Sequence, residues 1–231
     1  MRRVASDALL LRSVAYGESD LVVTFLTETD GKVAAIARGG RKSSKRMGGA
    51  LEPFHTVHVE LDDRGRELAT LKEARIVRVR SGIVTDIDAV DAAGTMLRWV
   101  RHLVPARTPE REAFATVTAV LDALDARTRA PRAILAVGGL HLLTDVGYAL
   151  AFDQCVRCGR PCPDDRAAAI DAARGGIVCQ ACGGARARIS ADLRRAAMAA
   201  QRGEDPELTD ADAAALLELV EGAMAAQADV G

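Results

Sequence analysis

Along the first eighty residues the apolar positions keep a short period. The run from Asp7 to Val14 predicts a strand, and Leu21-Val22-Val23-Thr24-Phe25-Leu26 is dense in the β-branched and aromatic side chains that suit a pleated surface. Asp30-Gly31 predicts a tight hairpin turn, since both central positions of such a turn need positive φ, and Lys32 to Arg38 follows as the partner strand. From His55 to Leu61 the alternation is strict, placing Val57, Val59 and Leu61 on one face. Glu67–Arg80 forms the fifth strand and closes with Val77 and Val79 alternating with Arg78 and Arg80. Five strands packed into so short a stretch predict a small closed or nearly closed barrel.

After residue 85 the period becomes helical. Val90, Ala93, Leu97, Val100 and Val104 step by three and four residues and mark one apolar stripe. Pro105 and Pro109 interrupt the chain before Phe114, Val117, Leu121 and Leu124 repeat the pattern. Pro131 precedes a third helix, Ala133–Val146, apolar nearly all round and therefore expected to be buried. Ser190 is placed to cap a helix ending near Gly203. Thr209, with Asp212 three residues on, starts a last helix whose Ala213, Leu216, Leu217, Val220 and Met224 share a face. Trp99, beside Val100 and Leu103, reads as core or an interhelix contact, and His102 and His141 as packing or groove residues.

Composition changes this picture little; the distribution of charge changes it more. About half of the 231 residues are apolar and 27% are charged, the profile of a globular chain. No run of apolar residues is long enough to span a membrane, and the N-terminus has no apolar run of signal-peptide length before Asp7, so a cytoplasmic location is expected. The net charge is −1, yet residues 1–80 hold fifteen Lys/Arg against eleven Asp/Glu. That cationic end points to a polyanionic partner.

Two copies of one device stand in the second half: Cys155-Val-Arg-Cys158-Gly159 and Cys179-Gln-Ala-Cys182-Gly183. Each Cys-x-x-Cys turn supplies two neighbouring corners of a tetrahedron, and the glycine after it lets the backbone turn tightly and aim amides at the sulfurs. A structural zinc ion on Cys155, Cys158, Cys179 and Cys182 is the expectation, with no position left open for catalysis. Disulfides fit a cytoplasmic chain poorly, and a redox site needs only one such pair. Cys162, between two prolines, reads as a spare loop thiol; exchanging it for Cys158 as a ligand is strained. His58-Val59-Glu60 ahead of Cys-x-x-Cys superficially resembles the zinc deaminases, but the first cysteine follows Gln154 rather than proline and lies some ninety residues away. The chain has no Gly-rich phosphate loop, His-Glu-x-x-His or Gly-x-Ser-x-Gly, and no enzymatic activity is expected.

The segment Arg38-Gly-Gly-Arg41-Lys42-Ser-Ser-Lys45-Arg46-Met-Gly-Gly49 holds five cations and no acid. Such a loop between barrel strands suits contact with a phosphate backbone without reading bases, which makes Arg38, Arg41, Lys42, Lys45 and Arg46 the candidate nucleic-acid-binding residues. Residues 1–80 contain only Tyr16, Phe25 and Phe54 as aromatics, little material for a stacking platform, so binding is expected to be mostly electrostatic.

Taken in order, these residues resemble the bacterial RecO family of DNA repair proteins over nearly the full chain. The resemblance runs through Tyr16-Gly-Glu18-Ser-Asp20, Leu26-Thr27, Gly31, Ala37-Arg38-Gly39 with its basic run, and Leu51-Glu-Pro53-Phe54. It resumes at Leu142-Leu-Thr-Asp-Val-Gly147-Tyr, then Cys155-x-x-Cys158-Gly159, Gly175-Gly176 and Cys179-x-x-Cys182. It implies an α+β chain: an N-terminal five-stranded OB-fold barrel over residues 1–80, then a helical domain over 81–231 carrying a zinc-binding insertion at 153–185. It also implies a nucleoid-associated recombination mediator that binds single- and double-stranded DNA, anneals complementary strands and helps load recombinase. The implied partners are RecR and the acidic C-terminal tail of single-strand-binding protein. The competing expectation is a zinc-stabilised protein-interaction adaptor whose basic loop is merely solvated.

Overall fold

A computed structural model of the chain describes residues 2–41, 47 and 49–228. Two units divide it, Met1–Ala126 and Arg127–Gly231. In the first, β1 (Arg2–Tyr16), β2 (Asp20–Thr27), β3 (Gly31–Ala37), β4 (Thr56–Asp63) and β5 (Ala69–Arg78) close a barrel in the order β1-β2-β3-β5-β4. The long β1 pairs antiparallel with β2 through one half and with β4 through the other, while β3 and β5 run parallel. This is the five-stranded OB-fold. Its interior is filled by the alternate positions the pattern selected, including Val23, Phe25, Val57, Val59 and Leu61, each at 0% exposure. Sealing those side chains from water is the main force closing the barrel, at about 25 cal/mol per Å² of apolar surface.

Two local expectations are corrected. Thr27 pairs with Gly31, so the β2–β3 turn holds three residues, and only Gly31 of the Asp30-Gly31 pair has positive φ (65°). The Thr27 hydroxyl accepts from the Asp30 amide (3.0 Å) and donates to the Gly31 carbonyl (2.9 Å), fixing the wider turn. The second correction concerns the end of β5. Thr56 pairs with Arg78 but Val57 with Ile76, so Val77 is a bulged residue. Val77 and Val79 are left 47% and 59% exposed, and it is Arg80 that is buried.

The first unit continues past the barrel into α1 (Ile87–Leu103) and α2 (Arg111–Ala126). Asp86 caps α1, its carboxylate accepting from the amides of Asp88 and Ala89. Of the predicted α1 stripe, Ala93, Leu97, Val100 and Val104 are buried and Val90 half-buried; in α2, Phe114, Val117, Leu121 and Leu124 are all buried. Arg80 joins strand to helix: Nε donates to Asp122 of α2 (2.6 Å), and Nη1 to the Phe54 carbonyl (2.9 Å) and Thr56 Oγ1 (3.0 Å).

In the second unit α3 (Pro131–Asp145) is the buried central rod, Ala133 to Leu140 being sealed without a break. It packs against α4 (Ala191–Gln201) and α5 (Asp210–Ala228). Ser190 Oγ accepts from the Leu193 amide (3.1 Å), and Thr209 and Asp212 form a reciprocal cap, as their spacing predicts. The His141 ring lies 2.6 Å from the Ala200 carbonyl and ties α3 to α4. Between α3 and α4 the chain makes an excursion built on a small sheet, β6 (Ala168–Asp171), β7 (Gly176–Ile177) and β8 (Ala187–Ile189), in the order β7-β6-β8. Among the described residues no helix is long and apolar enough to cross a membrane.

Candidate metal centre and nucleic-acid interface

The excursion brings the four cysteines together. The sulfurs of Cys155, Cys158, Cys179 and Cys182 all lie within 4.8 Å of one another, with Cys158 and Cys179 3.7 Å apart. A tetrahedral ion with metal–sulfur bonds near 2.3 Å spaces its sulfurs about 3.8 Å apart, so the donor set fits such an ion. Each pair sits on a turn closed by its glycine. The Gly159 amide donates to the Cys155 carbonyl (2.9 Å), and the Gly184 and Cys182 amides to that of Cys179 (3.1 and 2.9 Å). Gly159 and Gly183 have φ of 67° and 100°, a backbone that side chains with a Cβ rarely adopt.

The electrostatics also favour a cation. The Cys179 amide donates to Cys155 Sγ (3.3 Å) and, with further amides of the first turn, lowers the Cys155 thiol to about 6. Hydrogen bonds with the Cys158 and Cys179 sulfurs, together with burial, push the Cys182 thiol up to about 12. Four clustered thiols therefore cannot all ionise unaided. A divalent ion held there would supply the missing charge and let all four sulfurs ionise. Cys162 is not part of the cluster; it is half-exposed and lines a cavity of about 320 Å³ beside Cys155 and Cys179.

What fastens this segment to the helices was missed by sequence reasoning. Arg194, on the first turn of α4, is completely buried and, among the described residues, meets no carboxylate. Its Nε donates to the Phe152 carbonyl (2.8 Å), Nη1 to those of Pro163 (3.0 Å) and Arg166 (2.6 Å), and Nη2 to that of Cys162 (3.1 Å). Four carbonyl dipoles stand in for a counterion, and the planar fork of the guanidinium fits them where an ammonium would not. In sequence, Arg194-Arg195 on a helix reads as an exposed pair, and no local signal separates the two. The sheet strands β6 to β8 were likewise unseen, being only two to four residues long.

In the first unit the basic segment leaves the end of β3. Arg38 and Arg41 are exposed. The backbone there is fixed: the Gly39 amide donates to Asp20 Oδ1 (2.8 Å) and the Arg41 amide to the Ser19 carbonyl (3.0 Å). Lys42, Lys45 and Arg46 lie outside the described residues. Phe25 is sealed in the barrel and Phe54 is 8% exposed, whereas Tyr16 at the end of β1 is 59% exposed. The His58–Glu60 pair has no bearing on the cysteines: the His58 ring is hydrogen-bonded to Asp7 of the neighbouring strand at 2.8 Å.

Comparison with known proteins joins both sites to one family. The profile described as "Recombination protein O N terminal" matches residues 1–80, and "Recombination protein O C terminal" matches residues 84–228. A protein named DNA repair protein RecO from Anaeromyxobacter sp. (strain K) is 40% identical over 183 residues, 79% of this chain and 71% of that protein. Proteins of the same name from Myxococcus xanthus and Geobacter sulfurreducens are 38% and 36% identical, over 82% and 84% of this chain and 76% and 79% of theirs.

Proposed function

The chain belongs to the RecO family of DNA repair proteins, and from that premise we propose that it is a recombination mediator that binds single- and double-stranded DNA and anneals complementary strands. In this reading it acts with RecR, and with the C-terminal tail of single-strand-binding protein, to help load recombinase onto coated strands. The observation that carries the DNA-binding part is the cationic exit of β3. Arg38 and Arg41, the exposed start of the basic run, stand on a rigid OB barrel whose backbone is pinned there by Asp20 and Ser19. Exposed guanidiniums carried on a fixed backbone at a barrel edge can follow a chain of phosphates whatever its sequence. The barrel of residues 1–80 is then the nucleic-acid-binding domain, and 81–231 the helical domain with the segment 153–185 inserted.

The four-cysteine site is assigned one structural zinc. Cys155, Cys158, Cys179 and Cys182 would hold it as thiolates, and zinc would supply charge compensation and fixed corners for the two turns. With four sulfurs bound it offers no place for water or substrate, which makes the site a support.

Strand annealing tests the function directly. The wild-type chain should accelerate pairing of complementary oligonucleotides, and a variant with Arg38, Arg41, Lys42, Lys45 and Arg46 reversed to Glu should not. Equal annealing by both would remove the basic run from the interface. Absence of any salt-dependent binding to random-sequence oligonucleotides would instead favour the adaptor reading.

A further inference from the structure

β1 runs on beyond its pairing with β4, still paired to β2, and its last five residues are all exposed. Their register decides what they present. Ser13 pairs with Val23, and Val23 with Ala35; both Val23 and Ala35 are at 0% exposure, inside the barrel. Directly opposed residues share a face, so the adjacent pairs face outward. On β1 these are Arg12, Val14 and Tyr16; across from them stand Thr24, Val22 and Asp20, and Ile36 continues the Val14–Val22 row onto β3. The result is an outer strip with an apolar floor of Val14 (41% exposed) and the half-buried Val22 and Ile36. Tyr16 closes one end of the strip.

Cations border this strip. Arg12 is on it, Arg38 follows the end of β3, and Arg41 is folded against the β1–β2 turn, its Nη1 3.4 Å from the Glu18 carbonyl. Of the two acids near Tyr16, Asp20 is engaged by the Gly39 amide, and Glu18 is on the turn itself. A large aromatic ring left in water next to an apolar floor and a cationic edge is matched to one kind of partner: a flexible polyanion carrying flat apolar faces.

We propose that Tyr16 stacks against an unpaired base of single-stranded nucleic acid, with Arg38 and Arg41 on the flanking phosphates, so that the outer face of β1–β2–β3 distinguishes single strands from duplex. The inference rests on the DNA-binding reading above and adds strand preference to it. In a duplex the bases are already stacked and paired, so the ring gains nothing there, while the arginines meet phosphates in both forms.

The test compares wild type with Tyr16→Ala, Tyr16→Phe and Tyr16→Trp on an unstructured oligonucleotide and on a duplex. Tyr16→Ala should weaken single-strand binding about tenfold and leave duplex binding within about twofold, since one stacked base is worth that much. Tyr16→Phe should restore single-strand binding, and emission from Tyr16→Trp should be quenched by the single strand and not by the duplex. Single-strand affinity unchanged in Tyr16→Ala would overturn the stacking assignment while salt-sensitive binding to both forms still stood. An equal loss on single strand and duplex would also overturn it. A wild-type chain that binds neither form would remove the DNA-binding reading as well.

Discussion

Among the described residues two arginines are fully buried, and they are held differently. Arg80 meets the Asp122 carboxylate, whereas Arg194 meets only main-chain carbonyls. Removing Arg194 would leave four carbonyl acceptors without this donor, that of Phe152 in a buried bond and those of Cys162, Pro163 and Arg166 in part-buried ones. Arg194→Ala should therefore destabilise the second unit by about 2–4 kcal/mol, measured by chemical denaturation, and Arg194→Lys should recover only part of it. A loss no larger than that of an exposed arginine such as Arg195 would contradict the clasp. Gly31 is a second residue with no substitute: its φ is 65°, and an added Cβ would collide with the Thr108 carbonyl. Gly31→Ala should cost about 2 kcal/mol or more, seen as a lowered Tm of the first unit. The glycine was legible as a turn residue, but Thr108 was not, because nothing local says which loop will come to rest on a turn.

At the scale of elements, the excursion between α3 and α4 has few internal means of holding its shape. Its strands are two to four residues long, and its described cysteines are free thiols rather than disulfides. Its buried apolar residues are few, chiefly Phe152, Ile170, Ile177, Val178 and Ile189, and a metal ion on the four cysteines would add to what they and Arg194 hold together. Chelation should expose the segment around 153–185 to protease while the barrel strands stay protected; unchanged cleavage after metal removal would show that the cysteines are dispensable. Affinity should also fall as pH falls. Cys182 is raised to about 12 and still carries its proton at neutral pH, so binding must release that proton, and below about 6 Cys155 has to release one as well. Titration calorimetry in buffers of different ionisation enthalpy reads the proton count, and a pH-independent affinity would contradict thiolate ligation. The glycine-flanked cysteine pairs made this centre readable from spacing alone, whereas the sheet that carries it left no periodic trace.

For the whole molecule, the charge that matters is local. The net charge of −1 hides a cationic N-terminal third, and a phosphate backbone responds to the latter. Reversing Arg41, Lys42, Lys45 and Arg46 should flatten the plot of log affinity against log salt by about 3–4 in slope on duplex, each lost phosphate contact removing about 0.9. An unaltered slope would place the phosphates elsewhere. Two kinds of information meet in this chain. The sequence by itself determined the barrel strands, the helix stripes, the caps at Ser190 and Thr209, the four clustered thiols and the family, because each is written in spacings of two to four residues or in ordered motifs. Only the tertiary structure decided that Val77 bulges, that Val77 and Val79 are left exposed, that Arg80 and Arg194 go inside, and that Tyr16 stays in water. Those outcomes depend on strand register and on which carbonyl or carboxylate lies across a gap of dozens of residues, and that is set by packing, which no local pattern encodes.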